Sequence, residues 1–179
     1  MLFRSLLVAL ALSFGVSAVA SAQSLWWWQQ RVDWSFKVDQ LTPDVMSNWI
    51  ETQGDDVVLF DVREPDEHAV SHIANAIHVS PDMTADEFKR RFGGFLQGRK
   101  AVFYCSIGWR SSDFADRMAP VLAELGVESS HNLRGGIFRW HNEQRPLTDS
   151  GGSTDFVHPY DADWGSLVQR QDMTSYQEM

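Results

Sequence analysis

The apolar residues of this chain fall into two kinds of run that alternate. Short unbroken runs, Val57 to Phe60 and Ala101 to Tyr104, read as strands buried on both faces of a sheet. Elsewhere the spacing lengthens to three and four residues: Val45, Met46, Trp49 and Ile50, then Phe88 and Phe92, then Phe114, Met118, Val121, Leu122 and Leu125. That spacing predicts amphipathic helices. Punctuating residues agree. Thr42 is placed as an N-cap with Pro43 at the first helical position, and Gly54 stops that helix. Thr84 to Glu87 reads as a capping box, and Gly93-Gly94 ends the helix it opens. A third helix is expected from about Ser111 to Leu125, closed by Gly126. Short strands are expected at Ser35 to Asp39, at Ala76 to Val79 and, half-buried, at Val127 to Leu133; Gly135-Gly136 then turns into a helix carrying Ile137, Phe138 and Trp140. Strands alternating with helices imply an α/β domain, a mostly parallel central sheet with helices on both faces.

The ends depart from this rhythm. Arg4, an apolar run from Leu6 to Ala20, and Ala20-Ser21-Ala22 have the charged, apolar and small-residue regions of a secretory signal over residues 1–22. Cleavage is expected before Gln23, and the mature protein is expected to be exported, periplasmic if the source is a Gram-negative bacterium. A retained anchor, extended through Leu25, Trp26, Trp27 and Trp28, is the alternative; the run of 15 residues falls short of the ~20 that a span needs. No stable membrane insertion is expected after cleavage. Residues 23–37 form a tryptophan-rich arm that either lies across the domain with its indoles buried or offers them to a protein partner or a membrane surface. Residues 38–147 hold the domain. In the C-terminal extension, 148–179, Asp149 to Thr154 reads as a mobile loop, while Val157 to Tyr160 and Trp164-Gly165 are aromatic enough to dock back. Charge removes whole classes of partner: loss of the first 22 residues leaves 14 basic against 24 acidic residues, a formal charge of −10, with no basic patch. Nucleic acid and anionic lipid are excluded on that ground.

Candidate chemistry gathers where the second buried run ends. Cys105, the single cysteine, closes the strand, and Ser106, Ile107, Gly108, Trp109 and Arg110 lead to Ser111, Ser112 and Asp113, which start a helix. A helix N-terminus offers unpaired N–H groups and the positive end of the dipole, which favour an anion such as a thiolate. Gly108 permits a left-handed turn and Arg110 adds a cation, surroundings of a reactive thiol rather than an inert one. Backbone N–H groups from Ser106 through Ser111 are the expected cradle for a second sulfur. Arg110 either attracts an anionic donor or braces the loop against a carboxylate such as Asp61. Trp109 lies on the rim, or packs inward and leaves Ile107 exposed. Asp61 and Arg63, just after the first buried run, are expected to hold their loop by charge-assisted hydrogen bonds, and Glu67 to be solvated. One cysteine permits no intrachain disulfide and no CxxC pair; His68, His72, His78, His131, His141 and His158 form no HExxH or tight cluster, and His68 and His72, four apart, lack a third ligand. No metal and no cofactor is expected.

Cys105, Gly108, Arg110 and Ser111 spell C-x-x-G-x-R-S. Three further segments frame it: Asp61 to Glu67, D-x-R-x-x-x-E; Ser71 to Ile77, S-H-I-A-N-A-I; and Gly135 to Trp140, G-G-x-x-x-W. In these four segments, over roughly residues 38–147, the chain resembles the rhodanese (thiosulfate sulfurtransferase) family, departing from it at Ser71 and Asn75, where the family has glycine. The resemblance implies a single rhodanese-like domain and sulfur transfer. Cys105 would attack the outer sulfur of thiosulfate or a persulfide donor, hold it as a persulfide, and pass it to a thiol or to cyanide. It also implies that Asp61 and Arg63 organise the loops around the cysteine. Two other functions remain open. One is a persulfide carrier or partner-binding module that does not turn over. The other, less favoured, is a cysteine-dependent phosphatase or arsenate reductase, whose loops resemble C-x5-R. Cys105 and Arg110 enclose four residues, a cradle suited to one sulfur better than to a tetrahedral oxyanion.

Overall fold

The computed structural model describes residues 24–178. The expected signal segment, residues 1–22, lies outside them, and no helix of the described residues is long and apolar enough to cross a membrane. Five strands, β1 (Asp39–Leu41), β2 (Val57–Asp61), β3 (Ile77–His78), β4 (Lys100–Tyr104) and β5 (Ser129–Leu133), form a sheet in the order β1-β5-β4-β2-β3. Every neighbouring pair is parallel. Helices α1 (24–35), α2 (Pro43–Gln53), α3 (Pro65–Val70), α4 (Ala85–Phe92), α5 (Trp109–Glu124), α6 (Gly136–Asn142) and α7 (Ala162–Gly165) surround it.

The unbroken apolar runs have the expected cause, because central strand β4 is covered on both sides. Val102 and Tyr104 join Leu41, Leu59, Leu133, Met46 of α2 and Phe138 of α6 in one core. Ala101 and Phe103 join Val58, Phe60, Phe88 and Phe92 of α4, and Phe114 and Met118 of α5 in the other. Alternate residues of one strand thus feed opposite faces. The two N-caps fall where the sequence places them, with the Thr84 half of the expected box at α4 in place. Thr42 accepts a hydrogen bond from the Val45 N–H and Thr84 from the Glu87 N–H, and Gly54 terminates α2 at φ 49°. A reciprocal capping box forms at α3, between Glu64 and Glu67.

Three expectations are corrected. No strand begins at Ser35, because α1 runs through 35 and the first strand starts at Asp39. Leu25, Trp28, Gln29 and Val32 recur at helical spacing and turn one face of α1 to the domain. The arm therefore lies across the domain with only part of its aromatic surface: Trp28 packs inward, whereas Trp26, Trp27 and Trp34 are 50%, 65% and 84% exposed. The segment 149–154 is the turn and second strand of a hairpin, β6 (Leu147–Asp149) with β7 (Gly152–Thr154). Its polar residues satisfy one another, Asp149 Oδ1 accepting from the N–H groups of Gly151 and Gly152 at 2.7 and 3.0 Å. The hairpin is tied to the domain where His72 and Thr148 exchange backbone hydrogen bonds at 2.8 and 2.9 Å. Finally, α5 begins two residues early, at Trp109. Its N-cap is Gly108, left-handed at φ 96°, not a serine.

Candidate active site

The loop from Cys105 to Gly108 joins the carboxyl end of β4 to α5, on the edge where parallel α/β sheets collect ligands. Gly108 donates its N–H to Cys105 Sγ at 3.2 Å. Only glycine fits there, since φ is 96° and a Cβ would lie 2.9 Å from Asn132 Nδ2. Trp109, Arg110 and Ser111 form the first turn of α5, whose N–H groups have no carbonyl partner within the helix. The start of α6 grips the loop from behind: the Ile137 N–H donates to the Cys105 carbonyl at 2.9 Å and the Phe138 N–H to the Ser106 carbonyl at 3.0 Å. The Gly135-Gly136 pair makes that approach possible. A Cβ on Gly136 would lie 2.3 Å from the Cys105 carbonyl oxygen.

Glu67 is not solvated, as its sequence position suggested, but 1% exposed. The α3 capping geometry turns its carboxylate back towards the cysteine loop. It accepts from Arg110 Nη1 and Nη2 at 2.8 and 2.9 Å and from Ser106 Oγ at 2.8 Å. Arg110 Nη2 also donates to Ser106 Oγ at 2.9 Å. Burial would raise the Glu67 pKa, but the hydrogen bonds and charge of Arg110, with the charge of Arg63, hold it below the ordinary carboxylate range. Arg110 thus has a bracing carboxylate, and that partner is Glu67 rather than Asp61.

Asp61 belongs to a separate, fully buried pair. Arg63 Nε and Nη2 donate to its carboxylate at 2.8 and 2.6 Å, Nη2 also reaches the Ser71 carbonyl at 2.6 Å, and His68 Nδ1 lies 3.0 Å from Asp61 Oδ2. Burial again opposes ionisation, and again the neighbouring guanidinium and His68 win, lowering the Asp61 pKa. This pair pins the segment after β2. The two departures from glycine in that segment fit: Ser71 is extended at φ −173°, and Asn75 takes φ 64°, which asparagine tolerates better than most residues.

Above the loop lies a cavity of about 390 Å³, lined by Cys105, Ser106, Ile107, Trp109 and Arg110, by Trp28 and Arg31 of α1, and by Tyr160 and Trp164 of the C-terminal extension. Cys105 is 1% exposed yet belongs to neither core. It forms part of the cavity wall instead. Ile107 is buried in the first core, and Trp109 is half-buried on the rim. Ser111 Oγ is committed to Asn132 Oδ1 at 2.6 Å, away from the lining, which leaves its N–H as its contribution to the turn. Asp61 and Arg63 do not line the cavity. Sequence reasoning passed over Glu67, Trp28, Arg31, Tyr160 and Trp164. The D-x-R-x-x-x-E segment held the signal for Glu67, and the aromatic density of the two ends was the only hint of the rest.

The sequence profile of the rhodanese-like domain family matches residues 42–143, which include the cysteine loop, both helix N-termini that hold it and the buried Asp61–Arg63 pair. The chain belongs to the rhodanese-like domain family. This rhodanese-like domain is 28% identical over 102 residues to the thiosulfate sulfurtransferase GlpE of Coxiella burnetii, covering 57% of the chain and 87% of that protein. It is also 28% identical over 103 residues to a tRNA uridine(34) hydroxylase of Corynebacterium urealyticum, and 33% identical over 91 residues to one of Cytophaga hutchinsonii. The chain spans 33% and 28% of the length of those two hydroxylases. Among solved structures, a Rhodopseudomonas palustris protein described as a possible tyrosine phosphatase superposes with a TM-score of 0.52 at 22% identity, covering 66% of this chain and 89% of that one. That likeness shows the shared fold alone. Trp28, Arg31, Tyr160 and Trp164 all fall outside the matched segment.

Proposed function

We propose that this rhodanese-like domain is a sulfurtransferase in which Cys105 carries the sulfur. The observation that supports it best is a cysteine Sγ in a cavity wall, with a backbone N–H already upon it at 3.2 Å and the open first turn of a helix beside it. The Cys105 thiolate attacks the outer sulfur of thiosulfate or of a persulfide. As the new Sγ–S bond forms, the donor S–S bond breaks, and sulfite or the donor thiolate leaves with the electron pair. A thiol or cyanide acceptor then attacks the outer sulfur of the Cys105 persulfide, and the cysteine leaves as thiolate. Splitting the transfer in this way is covalent catalysis. Preorganised N–H groups supply the electrostatic support for the anionic persulfide. Arg110, neutralised by Glu67, acts chiefly as a positioning residue that fixes the loop through Ser106. The similarity to GlpE over most of that protein's length favours this chemistry, whereas RNA modification suits neither the partial match to the hydroxylases nor a formal charge of −9.

The near-complete cover of Cys105 favours a second function, a carrier that accepts a sulfur but does not turn over thiosulfate. Thiocyanate formation from thiosulfate and cyanide by the full chain, beside Cys105→Ser, separates the two. Activity that vanishes in Cys105→Ser is expected. Activity retained by Cys105→Ser contradicts the proposal. An inactive wild type whose Cys105 still gains one sulfur from a persulfide donor is a carrier.

A further inference from the structure

The cavity over Cys105 is larger and more aromatic than thiosulfate requires. Its volume, about 390 Å³, lies in the range of sites for drug-sized organic ligands. The outer wall comes from the two terminal segments that the family match omits, and it is built into the fold. Trp28 meets Trp164 at 4.7 Å between ring centroids and Trp109 at 6.4 Å, while Phe36 packs edge-on to Trp109 at 5.0 Å. Val157, Leu167 and Val168 of the extension are buried in the first core. Tyr160 sets its ring 4.9 Å from the Arg110 guanidinium and holds a left-handed φ of 68°, a conformation that a bulky residue adopts only when its surroundings impose it.

Charge narrows the class of ligand. Aromatic cages suit cations, but the wall carries a guanidinium of its own in Arg31, beside Arg110, whose charge is already paired with Glu67. Arg31 is exposed and makes no ion pair with a described residue. An apolar body joined to an anionic group fits such a wall, and a cation does not.

Resting on the sulfur-transfer proposal above, we propose that the two terminal segments make this domain selective for organic sulfur donors, persulfides or thiosulfonates with an apolar or aromatic body, over inorganic thiosulfate. The body fills the space among Trp28, Trp109, Tyr160 and Trp164 while its sulfane sulfur meets Cys105. With an aryl thiosulfonate, Cys105 Sγ bonds to the outer sulfur, the bond from that sulfur to the sulfonyl group breaks, and aryl sulfinate departs with the electron pair. The step consumes no oxidant or reductant. Burying a phenyl group where a methyl group leaves water on the indoles corresponds to a gain of about tenfold.

The test uses the full chain and three donors: thiosulfate, methanethiosulfonate and benzenethiosulfonate. Intact-mass spectrometry follows the second-order rate of persulfide formation on Cys105, each donor being normalised to its rate with free cysteine. The aromatic donor is expected to exceed the methyl donor by about tenfold, and the ratio to collapse below about threefold in Trp28→Ala and in Trp164→Ala. A wild-type ratio below about threefold overturns the proposal, as does a ratio that persists in both variants. Should the variants not fold, Cys105→Ser titrated by tryptophan fluorescence decides: tighter binding of benzenesulfinate than of methanesulfinate supports the proposal, and equal binding overturns it. Equal normalised rates for all three donors would sink only the selectivity. Absence of a sulfur adduct from every donor would sink the sulfur-transfer proposal beneath it.

Discussion

Replacing Gly136 with alanine should damage both stability and chemistry, by an amount that follows from the geometry. A Cβ at this position would lie 2.3 Å from the Cys105 carbonyl oxygen and 2.6 Å from that of Ser106, on a backbone at φ 58°. Carbon and oxygen that do not share a bond approach to about 3.3 Å, so α6 or the cysteine loop must retreat by about 1 Å. Holding alanine in the left-handed region costs about 1 kcal/mol. The retreat also weakens the hydrogen bonds from the Ile137 and Phe138 N–H groups to those carbonyls, each contributing about 1 kcal/mol. Together these place the loss near 3 kcal/mol, which a fold stable by about 5–15 kcal/mol can survive. The loop cannot survive it unchanged. A displacement of about 1 Å next to the reacting sulfur corresponds to a rate loss of about a hundredfold. Urea denaturation and the rate of persulfide formation, measured beside Gly94→Ala, test both parts. Gly94 is the control because a Cβ there meets nothing within 4 Å. A Gly136→Ala protein within about 0.5 kcal/mol of wild type and equally fast would show that the close approach of α6 to the loop carries neither stability nor rate.

Three further outcomes are expected. Glu67→Gln leaves the Arg110 charge uncompensated and should lower stability by about 2 kcal/mol, discounted for the partial exposure of Arg110; Glu67→Leu combined with Arg110→Met should recover part of that loss. Thermal denaturation showing strictly additive losses would contradict the pairing. Acid should weaken the fold in two stages. Burial lowers His72, His131, His141 and His158, so the unfolded chain takes up protons first as pH falls below ~6.5. Asp61 and Glu67 are held low by their cationic partners against the effect of burial, so their contribution is full above ~4 and is lost as pH falls through that range and below. A urea midpoint that stays flat from about pH 7 to about pH 3 would contradict both stages. Export, proposed from the first 22 residues, predicts a mature N-terminus at Gln23; N-terminal sequencing that finds Met1 would count against it.

Periodicity carried the central fold well, for a physical reason. Strands β2 and β4 are buried on both faces, so their apolar runs are unbroken, and each flanking helix needs one apolar stripe and a cap. The cysteine loop was equally legible, because a strand, a glycine and a helix start are local features. Long-range electrostatics were not. Glu67 reaches Arg110 across 43 positions of sequence, and apart from its place in the D-x-R-x-x-x-E segment nothing local distinguishes a buried carboxylate from a solvated one. The terminal segments were harder still. The arm could be read as tryptophan-rich but not as a helix whose register turns Trp28 inward and leaves Trp34 in solvent, and the extension could be read as docking but not as a wall of the cavity.

Whether sulfur rides on Cys105 is decided by intact-mass spectrometry of the full chain after incubation with thiosulfate. The expected result is a gain of one sulfur atom that maps to the Cys105 peptide, disappears on adding cyanide as thiocyanate forms, and is absent in Cys105→Ser. A wild-type protein that remains at its original mass with every sulfane donor, or a sulfur adduct that persists in Cys105→Ser, would contradict it.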